Sequence, residues 1–195
     1  MSERIAAKLA TIAVNNGIIK SEDYELYVYS YQILLERIIG WMSILLLSIV
    51  FGTLIYTLIF VSFFVTLSAF TGGWHAPSFG LCFVASVGVF LGFSLIEPFI
   101  TARVSVYVMI GIVICIGIII GLLGPIADPN KPIDLNNLKK CHKISVVVLC
   151  AQIAISFVVL MAGNERTLVF IMFSFVMVCL SLIAAELKSR TIARR

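Results

Sequence analysis

Residues 72–82, GGWHAPSFGLC, set a histidine and a cysteine seven positions apart, His75 and Cys82. No formal charge occurs between Arg37 and Glu97, so His75 is the one side chain of that length of chain that titrates near neutrality. A thiol beside an imidazole is a pairing suited to covalent catalysis. The thiolate is the nucleophile; a free thiol has a pKa of about 8.5, lowered by a neighbouring imidazolium or a helix N-terminus. A histidine in reach serves as base and then as acid to a leaving amine. Backbone N–H groups at a glycine turn or a helix start can stabilise an oxyanion.

The elements around the pair decide whether it can meet. On one continuous helix, seven residues separate two side chains by about 10.5 Å along the axis, too far for contact. Gly72 and Gly73 open backbone conformations closed to other residues, and Pro77 suits the first position of a helix. The sequence therefore predicts a loop holding His75 and a span starting near Pro77, with Cys82 one to two turns inside it. Folding the loop back brings imidazole and sulfur to hydrogen-bonding range, about 3 to 4 Å.

Competing readings of these residues exist. A cysteine in an apolar helix is commonly a packing residue, and an interfacial histidine is often a polar anchor. A second pair, Cys141 and His142, is adjacent in sequence, so its side chains diverge. Zinc held by His75, Cys82, Cys141 and His142 would be a two-Cys, two-His site, but no CxxC or HxxxH spacing supports it. No metal and no cofactor are expected.

Composition identifies the medium. Of 195 residues, 61% are hydrophobic and 12% charged, and mean hydropathy is +1.12. Soluble domains carry about 25% charged residues, so the reading is an all-α, polytopic membrane helical bundle treated as one domain, residues 1–195. The sequence shows no cleavable signal peptide: the N-terminal stretch has early acid and no continuous apolar core. Five scattered cysteines (Cys82, Cys115, Cys141, Cys150, Cys179) form no disulfide framework. The net charge of +4 is read as a topology determinant, and no nucleic-acid partner is expected.

Residues 1–37 read as amphipathic interfacial helices. Ile5, Leu9 and Ile12 recur at helical spacing before the stop NNG; Ser21, Glu22 and Asp23 open a second helix lined by Tyr24, Tyr27, Tyr31 and Leu34. Residues 38–195 read as the transmembrane bundle. The uncharged run Ile38–Phe70 would be about 50 Å long as one helix, against about 30 Å of hydrocarbon. Later runs cover residues 79–96, 104–124, 144–163 and 167–185.

Charge placement chooses the topology. If residues 38–70 fold as a hairpin, turning near Gly52–Thr57, the N-terminus, the loop at 125–143 and the C-terminus share one side. Twelve of the fourteen basic residues then lie in the cytoplasm, as the positive-inside rule expects. Six spans follow, with both termini inside and the GGWHAPS loop cytoplasmic, where a thiol stays reduced. Glu97 and Arg103 read as ordinary charges at span ends.

The stretch GGWHAPSFGLC resembles the signature of the accessory gene regulator B family, bacterial membrane cysteine endopeptidases of peptide quorum sensing. In that family a glycine-containing loop precedes an HA dipeptide, with the cysteine seven residues beyond the histidine. GPIADPNKPI at 124–133 is similar to the family's proline-rich, lysine-bearing loop, and YQILLERI at 31–38 resembles its glutamine-bearing segment before the first span. Together the resemblance covers nearly the whole chain.

The resemblance implies His75 and Cys82 as catalytic residues, with Cys82 attacking a peptide bond of a small precursor. The precursor's C-terminal tail would leave and an acyl-enzyme thioester remain, open to attack by an internal thiol or hydroxyl that closes a thiolactone or lactone. It also implies a precursor with an amphipathic leader on the lipid bilayer, and a homodimeric enzyme in the bacterial cell membrane. Gly72, Gly73, Gln32, Lys131 and Lys139 are the candidates for contacting substrate, and Asp128 or Gln32 for orienting His75. Family members often carry arginine six or seven residues before the histidine, where this chain has Ser68 and Ala69. That departure puts the recognition of an acidic substrate tail in doubt, or passes it to Lys131 or Lys139.

Two readings without peptidase chemistry compete. A small transporter or channel component would need intramembrane charges, and none is expected inside these spans. A non-catalytic sensor or scaffold would tolerate Cys82→Ala.

Overall fold

Long apolar runs have little choice of conformation where water is excluded, because each backbone polar group must be satisfied within its own segment. The computed structural model describes residues 2–73, 79–125 and 135–193, and among these every long element is a helix. They are α1 (Ser2–Asn15), α2 (Tyr24–Val50), α3 (Leu54–Thr71), α4 (Phe79–Arg103), α5 (Val106–Leu123), α6 (Leu135–Met161) and α7 (Glu165–Ala193). Six of them, α2 to α7, are long and apolar enough to cross a membrane. The chain is a multi-pass membrane protein, with α1 as an additional amphipathic helix.

The N-terminal helices pack through small residues. Ala6, Ala10 and Ala13 of α1 are buried and let its backbone lie close against α2. Ile5, Leu9 and Ile12 stay exposed on another face. Glu36 of α2 accepts hydrogen bonds from Ser2 Oγ (3.1 Å) and Gln32 Nε2 (2.9 Å). α2 does not break at Arg37: interfacial segment and first span are one helix, about 40 Å long at 1.5 Å per residue.

The hairpin expected within residues 38–70 is present, but its turn is tighter than Gly52–Thr57. It occupies Phe51–Thr53, and α3 already begins at Leu54. Gly52 adopts φ 63°, while Thr53 N–H donates to Ser48 O (2.8 Å) and Gly52 N–H to Ile49 O (3.1 Å). This is the Schellman closure, which glycine satisfies without Cβ strain. The turn was marked in the sequence by that one glycine.

α7 is the hub of the bundle, packing against α3, α4, α5 and α6. Leu168, Val169, Phe170 and Ile171 are consecutive and fully enclosed, so its first turns are covered on all sides. Aromatic contacts surround them: Phe93 stacks on Phe173 with centroids 3.8 Å apart, and its edge meets Phe170 at 5.0 Å. Gly117 of α5 admits Ile153 of α6 and Phe175 of α7; a Cβ there would lie 3.0 Å from Ile153 Cδ1.

One polar contact crosses the apolar layer between α3 and α6. Gln152 Nε2 donates to Phe63 O (3.0 Å) and Thr66 Oγ1 (2.8 Å), while its buried Oε1 has no partner. Interhelical hydrogen bonds in membranes contribute about 0.6 kcal/mol on average, and an unpaired buried oxygen costs about as much or more. Gln152→Leu is therefore expected to change stability by less than about 1 kcal/mol. Thermal unfolding in detergent checks this; a loss of several kcal/mol would mean that Oε1 is engaged in the membrane.

Two expectations about charge are corrected. Glu97 lies towards a span end but is not an ordinary solvated charge: it is 1% exposed inside α4. Arg166, near the start of α7, holds it through Nε–Oε1 (3.0 Å) and Nη2–Oε2 (3.1 Å). Thr101 Oγ1 also donates to Glu97 Oε1 (3.0 Å), and the Arg166 guanidinium lies 4.9 Å from the centre of the Tyr56 ring. The spans therefore do contain a buried carboxylate. Hydropathy cannot detect this, because a carboxylate becomes tolerable in an apolar layer only when a distant residue supplies its counter-charge and donors.

Candidate active site at one end of the bundle

Glu97, Tyr56 and Arg166 lie near one end of the bundle, at the end of α4 and the starts of α3 and α7. The opposite end gathers the last turns of α3, α5 and α7 and the first turns of α4 and α6. Cys82 lies there, in the first turn of α4, half-buried and unbridged. His75 lies outside the described residues, as do Pro77, Asp128 and Lys131. The sequence distance still constrains it: two residues separate His75 from Gly73, and seven separate it from Cys82.

The loop that carries His75 leaves α3 through an unusual conformation. Gly72 N–H closes the helix on Ser68 O (3.0 Å). Its own φ of 74° and ψ of −158° fall in a region essentially restricted to glycine. Gly73 then passes directly against α7, where a Cβ would run into Ser181 Oγ. Gly72 is therefore required for its dihedrals, while a Cβ at Gly73 would oblige the Ser181 hydroxyl to turn away.

Neighbouring helix ends brace this exit. Thr71 is buried and returns its hydroxyl to Leu67 O (3.0 Å). A Cβ on Gly124, at the end of α5, would touch Thr71 at 3.5 Å. His142 Nδ1 of α6 stands 3.0 Å from Gly124 O. A carbonyl oxygen only accepts, so Nδ1 carries the proton and a neutral His142 keeps its lone pair on Nε2.

The remaining candidates are placed differently. Gln32 lines a groove between α1 and α2 with Glu3, Ala7, Tyr24, Glu25, Val28 and Tyr29, and its amide is given to Glu36. By helical rise, the 18 residues of α3 reach back about 27 Å, to the level of residues 32 and 33 of α2. Gln32 is thus near the depth of Thr71 but bonded along its own helix. Lys139 is exposed in the early turns of α6, among the basic residues of that end. Cys141 and His142 occupy successive positions of α6, with His142 committed to Gly124. Among the described residues no group of three or more His, Cys, Asp or Glu could hold a metal ion.

Ser181 was not picked out by the sequence as the neighbour of Gly73, nor His142 as the partner of Gly124, and no local pattern announces such contacts.

The other cysteines separate by environment. Cys115 and Cys150 are exposed on the outer surface of the bundle, and Cys179 is buried in its core. Replacing Cys115 or Cys150 by alanine is expected to leave any Cys82-dependent reaction within about twofold of wild type, while Cys179→Ala lowers stability by about 1 kcal/mol through lost packing. A loss of activity in folded Cys115→Ala or Cys150→Ala protein would move the nucleophile elsewhere.

Comparison with known proteins identifies the family. The family described as accessory gene regulator B matches residues 2–182, a range containing both His75 and Cys82. Protein FsrB of Enterococcus faecalis is 30% identical over 132 residues, which cover 63% of this chain and 53% of FsrB. The chain thus aligns with about half the length of that relative. Putative AgrB-like protein 2 of Clostridium perfringens is 28% identical over 148 residues, covering 73% of this chain and 69% of that protein. No solved structure matches. Matched from its first helix into its last, the chain belongs to the accessory gene regulator B family.

Proposed function

We propose that the chain is a membrane cysteine endopeptidase acting in the maturation of a quorum-sensing peptide. Cys82 is the nucleophile, and His75 takes its proton and returns it to the leaving amine. The observation that carries this reading is the convergence at one end of the bundle. Cys82 lies in the first turn of α4, and the chain leaves α3 through Gly72 and Gly73, the second of them against Ser181 of α7.

Attack of the Cys82 thiolate on a peptide carbonyl forms a C–S bond and expels the C-terminal tail as an amine, leaving an acyl thioester. A thiol or hydroxyl within the precursor then displaces Cys82, closing a thiolactone or lactone and regenerating the thiol.

Basic residues supply the sidedness. Twelve of the fourteen lie in the N-terminal segment, the 125–143 segment and the C-terminal segment, a distribution that supports a cytoplasmic location for these segments by the positive-inside rule. Lys131 and Lys139 would attract an acidic tail, and an amphipathic leader on the bilayer concentrates the precursor in two dimensions. The functional unit in this reading is a homodimer.

Thiol labelling in inside-out vesicles tests the reading. Cys82 is expected to alkylate faster than Cys141, and to slow when His75→Ala is introduced. Equal labelling of Cys82 and Cys141, independent of residue 75, would reduce Cys82 to a packing residue.

A further inference from the structure

α7 touches both segments that carry the proposed dyad, at Gly73 before His75 and at Glu97 on the helix of Cys82. At its inner end Ser181 abuts Gly73, two residues before His75. At its outer end Arg166 grips Glu97 of α4, the helix that carries Cys82. Fifteen residues separate Cys82 from Glu97, and fifteen separate Arg166 from Ser181. The two helices run in opposite directions and are continuous over these stretches. At 1.5 Å per residue each stretch is about 22 Å long. Pinning Glu97 to Arg166 therefore places Cys82 at the depth of Ser181, hence of Gly73.

The pin also fixes rotation. On a 100° per residue wheel Phe90 and Phe93 lie within about 40° of Glu97, and Cys82 within about 60°. The buried face of α4 and the thiol thus share one side. Phe93 slots between Phe170 and Phe173 of α7, but stacked rings permit sliding. A guanidinium joined to a carboxylate through two bonds at 3.0 and 3.1 Å defines a plane and permits little. Pro98, the residue after Glu97, cannot donate to Ser94 O, so α4 is weakened between Ser94 and Pro98, the turn that carries Glu97.

We infer that Glu97 and Arg166 are positioning residues for the dyad: their two-point contact sets the register of α4 on α7 and thereby brings Cys82 to the level of Gly73, two residues before His75 in the chain. The inference rests on the peptidase reading for what that register achieves, but the register itself does not depend on it.

The test uses the full chain in membrane vesicles, with Cys115, Cys141, Cys150 and Cys179 replaced by alanine, and iodoacetamide as the probe. The quantity read is the factor by which His75→Ala slows Cys82 alkylation, measured in wild type, Arg166→Lys and Glu97→Gln. Arg166→Lys keeps the charge and loses the planar fork. In wild type a factor of about ten or more is expected from the thiolate fraction. In Arg166→Lys and Glu97→Gln it should fall to about two or less. The double exchange Glu97→Arg with Arg166→Glu should recover most of it.

Folded Arg166→Lys and Glu97→Gln proteins that keep the full His75 factor would overturn the inference. Should the single variants fail to fold, the double exchange decides. Recovery of fold and factor together upholds the register role; recovery of fold without the factor rejects it. A wild-type factor near one would sink the peptidase reading instead. The absolute rate of Cys82 alkylation then judges the register: a change in Arg166→Lys upholds it, and no change removes it.

Discussion

Cys82→Ala is expected to abolish release of the precursor's C-terminal tail, and His75→Ala to reduce it by about 10² to 10⁴-fold, the usual worth of a positioned general base. The two values differ for a physical reason. Without the sulfur there is no acyl intermediate, so no route to the ring remains. Without the imidazole a small fraction of thiolate survives near neutral pH and still attacks, slowly. Co-expression with a precursor, followed by the mass of the released tail, reads both. Cys82→Ala is also expected to retain the wild-type melting temperature within about 2 °C, since a half-buried thiol at a helix start fills little core volume. Tail release that persists in folded Cys82→Ala protein would end the assignment.

Gly72→Ala should be the most damaging substitution outside the dyad. Its φ of 74° and ψ of −158° cost an alanine about 1 to 3 kcal/mol if held. If not held, the chain leaves α3 in another direction and carries His75 with it. Displacing a catalytic group by about 1 Å can cost 10²-fold in rate, so processing should fall far more than stability. Gly73→Ala acts through a different contact. Its Cβ would strike Ser181 Oγ while lying 3.4 Å from Ser181 Cβ, an ordinary separation. Ser181→Ala added to Gly73→Ala should thus restore much of the lost activity, whereas added to Gly72→Ala it should restore none. Rates of tail release beside melting temperatures separate the two mechanisms. Equal rescue of both glycine variants would show that neither local geometry governs the loop.

The Glu97–Arg166 contact bears on how a small bundle keeps its helices in register. Apolar faces on neighbouring spans are interchangeable to a first approximation, since lipid tails are as apolar as leucine. α4 packs on few neighbours, mainly α2 and α7. A single two-point pair with its carboxylate buried gives such a helix a definite depth and rotation that grease alone does not.

By itself the sequence determined the class of protein, the number of spans and the pair of residues to suspect. Uncharged runs of span length leave the backbone no partner but itself, so helices follow from composition, and the placement of basic residues divides residues 38–70 in two to give six spans. Gly52 gave the first hairpin its turn, although the turn proved tighter than Gly52–Thr57. The spacing of His75, Cys82 and the flanking glycines is a local pattern, and a loop before a helix start is local geometry.

Only the tertiary structure decided which distant groups meet that pattern. Ser181 against Gly73, His142 on Gly124 and Arg166 on Glu97 each join residues far apart in the chain. Glu97 shows why such contacts stay hidden. Its charge in a hydropathy profile looks like the end of a span, and burial becomes affordable only through a guanidinium 69 residues away. Which helix supplies that partner depends on how the spans pack, and the packing is a property of the whole bundle.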